Sequence, residues 1–164
     1  MRKQRLAGFS LVELVVVIVI IGIIAAMAIP RLSRGSAGAS DSSLMGNLAI
    51  VRSAINLYAA EHNNVFPSGT AAEVAQKLTM YSSAAGATNA TKSSTFKYGP
   101  YLVSIPPCPV GNPSAATTIL IDTTNSPPSV DTSNGEGWVY NPNTGEFLAN
   151  STTTDESGKA YNTY

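Results

Sequence analysis

Two hydrophobic patterns occupy the first sixty residues of the chain. In the first, Phe9 to Ile29, nearly every residue is apolar and the single charged residue is Glu13. As a helix this stretch would span about 31 Å, which matches the ~30 Å hydrocarbon core of a bilayer. The pattern predicts a transmembrane helix that ends near Pro30.

The second pattern has the period of an amphipathic helix. Apolar and aromatic residues recur at spacings of 4, 3, 4 and 3, and the stripe ends on the only histidine. Its members are Leu44, Leu48, Val51, Ile55, Tyr58 and His62. Because three heptads are short for a coiled coil, we expect this helix to cover the chain's own globular domain. His62 is then a polar end of the stripe and not a ligand.

The segment between the two patterns is poor in helix formers. Residues 33–40 contain two glycines and three serines, which favour a helix weakly. A flexible linker and one helix running through both patterns are both open on this basis. Pro30 removes a helix hydrogen bond, so Pro30 and Gly22 are the predicted positions of a helix bend.

The remainder of the chain predicts a second, short helix and a loop. Pro67 and the following Ser-Gly pair end the long helix. Thr70 and Glu73 have the spacing of a capping box, which predicts a helix start with Val74, Leu78 and Tyr81 facing the core. The small and polar residues 82–95 predict a surface loop.

Several short runs further on are typical of strands. Residues 100–105 and 117–121 are two candidates, and residues 137–140 and 146–149 flank a five-residue turn that ends in glycine. The last two predict a β-hairpin, in which Trp138 and Tyr140 serve packing. The fold class that follows is α+β, with a small antiparallel sheet packed on the amphipathic helix.

Composition and charge exclude several function classes. The 164 residues suffice for one core, and the net charge is zero with 12% charged residues. Without a basic stripe, no nucleic-acid partner is expected. The single cysteine, Cys108, excludes an internal disulfide and a CxxC motif. The sequence contains no nucleophile–base signature, phosphate loop or metal cluster, so we expect no enzyme.

Glu13 is the most informative residue of the apolar stretch. A carboxylate in hydrocarbon costs about 2.5–3.5 kcal/mol on insertion scales, so it calls for a positively charged partner. Arg2, Lys3 and Arg5 precede the stretch. They predict a cytoplasmic N-terminus and an exported remainder.

An ordinary secretory signal is the competing interpretation of the N-terminus. Ala26 to Ala28 fits a cleavage site after Ala28, which would release an exported binding module. The apolar run is longer than the usual 7–15 residues of a signal, and Glu13 would have no role within it.

The block from Gly8 to Leu14, Gly-Phe-Ser-Leu-Val-Glu-Leu, resembles the processing site of type IV pilins and type II secretion pseudopilins. The resemblance implies that a prepilin peptidase cuts after Gly8 and methylates the new N-terminal Phe9. It also implies that Glu13 is the assembly glutamate. Physically, the Phe9 amine of one subunit can pair with Glu13 of the next, which relieves two buried charges and fixes axial register.

The resemblance also implies an organisation and a location. Residues 1–8 are a cleaved basic leader, 9–30 a transmembrane and assembly helix, 31–64 its amphipathic continuation, and 65–164 a globular pilin-like domain. The chain would sit in the bacterial inner membrane with its C-terminal domain outside the cytoplasm, and then in a filament. Implied partners are other copies of the chain, minor pseudopilins or pilins, the prepilin peptidase, an inner-membrane assembly platform and a motor ATPase.

The C-terminal part carries a weaker resemblance. The Gly99–Leu102 block, the proline-rich turn and the hairpin up to Asn150 are similar to major pseudopilins. Many type IV pilins close this region with a disulfide, which this chain cannot form. Since several pseudopilins bind calcium in a C-terminal loop, calcium binding is a hypothesis for the loop acids, although their spacing is not an EF-hand. These acids are Asp122, Asp131 and Glu136. No other cofactor is expected.

The leading hypothesis is therefore a structural subunit of a type II secretion pseudopilus or of a type IV pilus-like filament. A minor or tip-located pilin and a DNA-uptake pilin are alternatives within the same class. Secretion, motility and adhesion are not distinguished by the sequence.

Overall fold

The structure is a computed structural model. It describes the backbone of residues 10–111 and 114–164, and the side chains of residues 10–27, 37–111 and 114–164. The chain divides into two compact units, Met1–Gly38 and Ala39–Tyr164. The core and all strands described below belong to the second unit.

The first element, α1 (Leu11–Glu61), is helical at each of its 51 residues. The helix therefore runs through residues 33–43 without a break, despite the glycines and serines of that segment. This confirms the long helix of the predicted fold. Gly22 and Pro30 both lie within the bounds of α1, and their role as bend positions stays a prediction.

The second helix, α2 (Ala71–Thr79), begins as the capping-box pattern predicts. The Thr70 N–H donates to Glu73 Oε2 (2.7 Å), and the Glu73 N–H donates to Thr70 Oγ1 (3.3 Å). Val74 and Leu78 are buried, as expected. Tyr81 was predicted on this helix, but the helix ends before it.

A small hairpin replaces part of the predicted loop over residues 82–95. Strand β1 (Tyr81–Ser82) pairs antiparallel with β2 (Thr88–Asn89). Ser82 is completely buried, which small polar residues do not predict. Its burial depends on partners from distant segments, so the loop prediction was wrong here for a tertiary reason.

Three strands form the main sheet in the order β3 (Ile119–Ile121), β4 (Trp138–Tyr140) and β5 (Phe147–Ala149). The β4–β5 hairpin is antiparallel, as predicted. Strand β3 runs parallel to β4, so the sheet is mixed and the prediction of an antiparallel sheet was wrong for this pair. The connection over residues 122–137 is long enough to bring the chain back in the same direction, which a short turn cannot do.

The hairpin turn depends on Gly145. Its φ is +78°, in the left-handed region, and a Cβ there would lie 2.6 Å from Phe66 Cε1. Asn141 closes the turn, since its carbonyl accepts from the Gly145 N–H (2.8 Å) and its own N–H donates to Glu146 O (2.9 Å). The predicted five-residue turn is therefore confirmed, and only glycine fits at its end.

The predicted strand over residues 100–105 does not form. The N–H groups of Tyr101 and Leu102 both donate to Leu78 O at 2.9 Å, at the end of α2, and not to a neighbouring strand. Leu102 and Ile105 are nevertheless buried. The apolar pattern thus marked core positions correctly and the element type incorrectly.

One hydrophobic core joins the C-terminal part of α1 to α2 and the sheet. All six residues of the predicted stripe, from Leu44 to His62, are at most 5% exposed. Trp138 and Tyr140 are fully buried in the same core. The expectation that this helix face covers the chain's own globular domain is confirmed.

Candidate functional site

The candidate site is the start of α1, where the predicted assembly residue Glu13 lies. Gly8 and Phe9 fall outside the described residues, so cleavage after Gly8 and methylation of Phe9 stay predictions. The described part begins at Ser10 and includes Glu13 in the first turn of the helix.

Glu13 caps its own helix. The Ser10 N–H donates to Glu13 Oε2 at 2.8 Å, which satisfies one of the amide groups that a helix start leaves without a partner. A negative charge in the first turn also interacts favourably with the helix dipole. The spacing of Ser10 and Glu13 is that of a capping box. The same spacing as that of Thr70 and Glu73 is present in the sequence, so this cap could have been predicted there.

The surface of α1 beyond Glu13 is apolar all round. Thirteen large apolar residues from Leu11 to Met27 are between 43% and 79% exposed. Burying one such side chain is worth about 1.5–3 kcal/mol, so this surface strongly favours contact with another apolar phase or protein. Within the described parts of the chain, no helix combines the length and the apolar character that a bilayer crossing requires.

The C-terminal residues are fastened to α1 by polar contacts. The guanidinium of Arg52 donates from Nε to Phe147 O (3.0 Å) and from an Nη to Tyr164 O (2.6 Å). About three helical turns earlier, Asp41 Oδ1 accepts from the Tyr161 phenol (2.7 Å). These bonds hold the last residues on the helix without a disulfide. The partly buried Arg52 and Asp41 were not recognised as anchors from the sequence.

The loop after β3 is organised around the carboxylate of Asp122. Five donors from Thr124, Asn125 and Ser129 reach its two oxygens at 2.7–3.2 Å. The Ser129 N–H and the side chains of Asn125 and Thr124 hold the pKa of Asp122 well below its usual range. The carboxylate therefore acts as an internal acceptor that orders the loop.

The three predicted calcium ligands are only partly brought together. Asp122 and Asp131 line the same hollow, and Glu136 is not among its lining residues. The Asp131 side chain accepts from Ser133, which lowers its pKa. Glu136 Oε2 is buried and has no hydrogen-bond partner among the described residues. In the described part of the chain, no three Asp, Glu, His or Cys side chains form a group able to hold a metal ion.

The lone cysteine and an apolar hollow beside α2 carry no catalytic arrangement that the described residues reveal. Cys108 is fully buried, and burial raises the pKa of its thiol. The hollow between α2 and residues 103–107 is lined by alanines, by Val103, Ile105, Pro107 and Ile119, and by hydroxyl side chains. Neither place contains a titratable pair suited to acid–base chemistry.

Comparison with known proteins supports the N-terminal assignment. Residues 3–29 match the family model of the prokaryotic N-terminal methylation motif, a type IV pilin-like leader. No curated protein and no solved structure matches the chain significantly. The match covers well under half of the chain, and it includes Gly8, Phe9 and Glu13.

The matched motif and the α+β fold both indicate a pilin-like protein. The motif supports a type IV pilin-like protein that is processed by a prepilin peptidase and assembled with pilin partners into a filament. Families with this leader are structural and not enzymatic. The long N-terminal helix and the small sheets of this chain give a pilin-like architecture.

Proposed function

We propose that this chain is a structural subunit of a pseudopilus or pilus-like filament, processed after Gly8 and assembled through the N-terminal part of α1. The observation that carries the proposal is the exposed apolar surface from Leu11 to Met27, which begins within the methylation motif. The rest of the chain has a core of its own, so this surface has no role in folding the globular domain.

The position of Glu13 suggests how subunits find their register. Cleavage after Gly8 would create a positive amine on Phe9. A carboxylate offers about four acceptor sites, and the Ser10 N–H uses one of them. Glu13 can therefore keep its capping bond and also accept from the Phe9 amine of a neighbouring subunit. In an apolar surrounding, an unpaired Glu13 would cost several kcal/mol, so subunits stacked out of register are disfavoured.

The proposed life of the subunit begins in the bacterial inner membrane. The basic residues before Gly8 favour a cytoplasmic N-terminus. The apolar surface of α1 would contact lipid before assembly and the helices of other subunits after assembly. A prepilin peptidase, an assembly platform and a motor ATPase are the partners this route requires. Head-to-tail contacts that do not close would then produce an open filament.

A type II secretion pseudopilus is the form we favour. Hydrogen bonds to Arg52 and Asp41 hold the C-terminal residues of this chain on α1. In many pilins a disulfide holds the C-terminal region. The subunit itself would catalyse no reaction. The proposal includes calcium binding by the loop acids, Asp122, Asp131 and Glu136, since Asp122 and Asp131 line one hollow.

The mature N-terminus tests the proposal directly. Mass spectrometry of the protein from membranes should find Phe9 as the first residue, carrying one added methyl group. A first residue of Ile29 would instead support an exported module cut by signal peptidase. As a control, Gly8→Val should leave the leader attached while the globular domain folds normally. A filament built from uncut subunits would contradict the proposal.

A further inference from the structure

The loop between β3 and β4 contains the only Asn-Gly pair of the chain. Asn134 is followed by Gly135, and none of the other asparagines precedes a glycine. Asn134 is exposed and Gly135 is half-buried. The φ of Gly135 is +80°, in the left-handed region that glycine adopts without strain. Water therefore reaches the asparagine side chain of this pair.

The side chain of Asn150 holds the loop on both sides of the pair. Its Oδ1 accepts from the Asp131 N–H (2.9 Å), and its Nδ2 donates to Asp131 O (2.6 Å) and to Glu136 O (3.0 Å). Asn150 itself is buried, with 3% of its surface exposed. Residues 132–135 therefore form a short segment between two fixed points.

The two groups that could react within this segment are not held. Within the part of the chain that the structure describes, the side-chain amide of Asn134 and the N–H of Gly135 make no hydrogen bond. The nearest local bond runs from the Ser133 N–H to Asp131 Oδ1 (2.9 Å), one residue before the pair. Loop groups without such bonds reorient at little cost in free energy, so the two groups can meet.

An asparagine amide and the next backbone nitrogen can form a ring without any other protein group. The Gly135 nitrogen attacks Cγ of Asn134, the new N–Cγ bond closes a succinimide, and the side-chain NH2 leaves as ammonia with the proton of the Gly135 nitrogen. Water then adds to one ring carbonyl, and the C–N bond at that carbonyl breaks. The product is aspartate, or isoaspartate when the bond to the backbone carbonyl breaks. Because glycine has no Cβ to obstruct the attack, the pair is well suited to this reaction.

We propose that Asn134 is a self-modification site, at which the folded chain converts an amide to a carboxylate with water as the only co-reactant. Two other asparagines precede a small residue, serine, but their side chains are held. Asn125 Nδ2 donates to Asp122 Oδ2 (2.9 Å) and to Thr124 Oγ1 (3.0 Å), and Asn150 makes the three bonds described above. The structure therefore separates Asn134 from both of them.

The conversion changes both the charge and the length of the loop. Either product adds a negative charge between Asp131 and Glu136, in a stretch of sequence that has no lysine or arginine from residue 98 to residue 158. Isoaspartate also inserts one extra carbon into the backbone between the two points that Asn150 holds. It should therefore weaken the bonds to Asn150, whereas aspartate keeps the normal backbone.

Peptide mass spectrometry of the full chain, kept folded in detergent and mildly alkaline buffer, tests the proposal. The peptide that contains Asn134 should gain the mass of an NH2-to-OH exchange, and an isoaspartyl methyltransferase should label it. We expect conversion at Asn134 to be at least about ten-fold faster than at Asn125 and Asn150, a difference of about 1.4 kcal/mol in activation free energy. A smaller ratio, or no conversion at Asn134, would overturn the proposal. The urea-unfolded chain is the reference, and a rate at Asn134 about ten-fold or more lower in the folded chain would show that the loop protects the pair, which would also overturn it.

Two variants at the exposed position 134 serve as controls, and both should fold because this side chain lies outside the core. Asn134→Gln keeps an amide whose longer side chain closes a ring less readily, so the mass gain and the methyltransferase signal should be lost. An undiminished signal in this variant would place the reaction elsewhere and refute the proposal. Asn134→Asp adds the charge without the extra backbone carbon, so the aged, unaltered chain should melt at a lower temperature than Asn134→Asp. Equal melting temperatures would contradict the expected effect of isoaspartate on the segment that Asn150 holds.

Discussion

The two parts of α1 differ in where their apolar residues lie and in whether these residues are buried. From Leu11 to Met27 the helix is apolar on every side and exposed. From Leu44 to Tyr58 an apolar stripe on one side of the helix is buried in the chain's own core, although Met45, Ile50 and Leu57 are exposed elsewhere on this segment. A one-sided stripe can be satisfied by one domain, whereas an apolar surface on all sides needs partners all round. The comparison indicates that the second part of α1 belongs to the core of the globular unit, whereas the first part presents an apolar surface that this core does not use.

The two capping glutamates sharpen this contrast. Glu13 and Glu73 each accept from the N–H of the residue three positions earlier, at 2.8 and 2.7 Å. Glu73 lies at the surface of the globular unit, where water also solvates its carboxylate. Glu13 lies at the head of an apolar helix. Similar local geometry thus has different consequences, because the surroundings decide what an additional charge partner is worth.

The largest expected effect is on assembly. Glu13→Ala should lower the filament yield at least ten-fold. The positive amine of the neighbouring subunit would then be buried without its partner, which costs about 3–5 kcal/mol. Sedimentation and electron microscopy of filaments measure it. Glu73→Ala is the matched control, which removes a similar capping bond and should assemble normally. Normal filaments from Glu13→Ala would refute the pairing role.

Alanine at one position in each part of α1 should affect different properties. Leu48→Ala should lower the free energy of unfolding of the globular unit by about 2–5 kcal/mol, because it leaves a cavity in the core. Ile18→Ala removes an exposed side chain and should leave this free energy unchanged while weakening filaments. Chemical denaturation followed by Trp138 fluorescence measures the first effect. An equal loss of unfolding free energy in both variants would contradict the conclusion that only the second part of α1 stabilises the globular unit.

The C-terminal fastening on the second part of α1 should contribute a smaller amount. Tyr161→Phe removes the bond to Asp41 and should cost about 1 kcal/mol. The double variant with Asp41→Asn should cost little more than the larger single effect, because the two residues share one bond. Fully additive losses in this thermodynamic cycle would show that the two side chains act independently.

Acid should weaken the globular unit through Asp122. Its pKa is lowered in the folded chain, chiefly by the Ser129 N–H, so its contribution is present above the usual carboxylate range and is lost as the pH falls below about 4. Thermal unfolding at pH 7 and pH 3 measures the loss. Asp122→Asn should show a smaller difference between the two pH values. An unchanged difference would mean that the loop bonds do not survive in solution.

Calcium should give the smallest effect. If Asp122, Asp131 and Glu136 bind the ion, millimolar calcium should raise the melting temperature slightly and release heat in isothermal titration. Asp131→Asn should remove both signals, and magnesium serves as the control ion. The internal donors on Asp122 compete with the ion, so weak affinity is expected. Absence of heat and of a thermal shift would remove the calcium hypothesis.

Patterns that depend on neighbours in sequence were predicted well. The stripe from Leu44 to His62, the cap at Thr70 and the Gly145 turn each follow from spacing or from a local backbone requirement, and each is confirmed. The missed cap at Ser10 was equally local. Residues 100–105 were predicted as a strand because apolar alternation fits a strand, but their N–H groups bond to the end of α2. Periodicity gives burial and not the identity of the hydrogen-bond partner.

The sequence alone determined the division of labour along the chain. A leader motif, an apolar stretch with one acid and an amphipathic stripe are all properties of neighbouring residues, and local physics is sufficient to interpret them. Only the tertiary structure decided that β3 runs parallel to β4, that Arg52 and Asp41 hold the last residues, and that Asn150 holds the loop on both sides of Asn134. These contacts join residues far apart in sequence, so no local pattern encodes them.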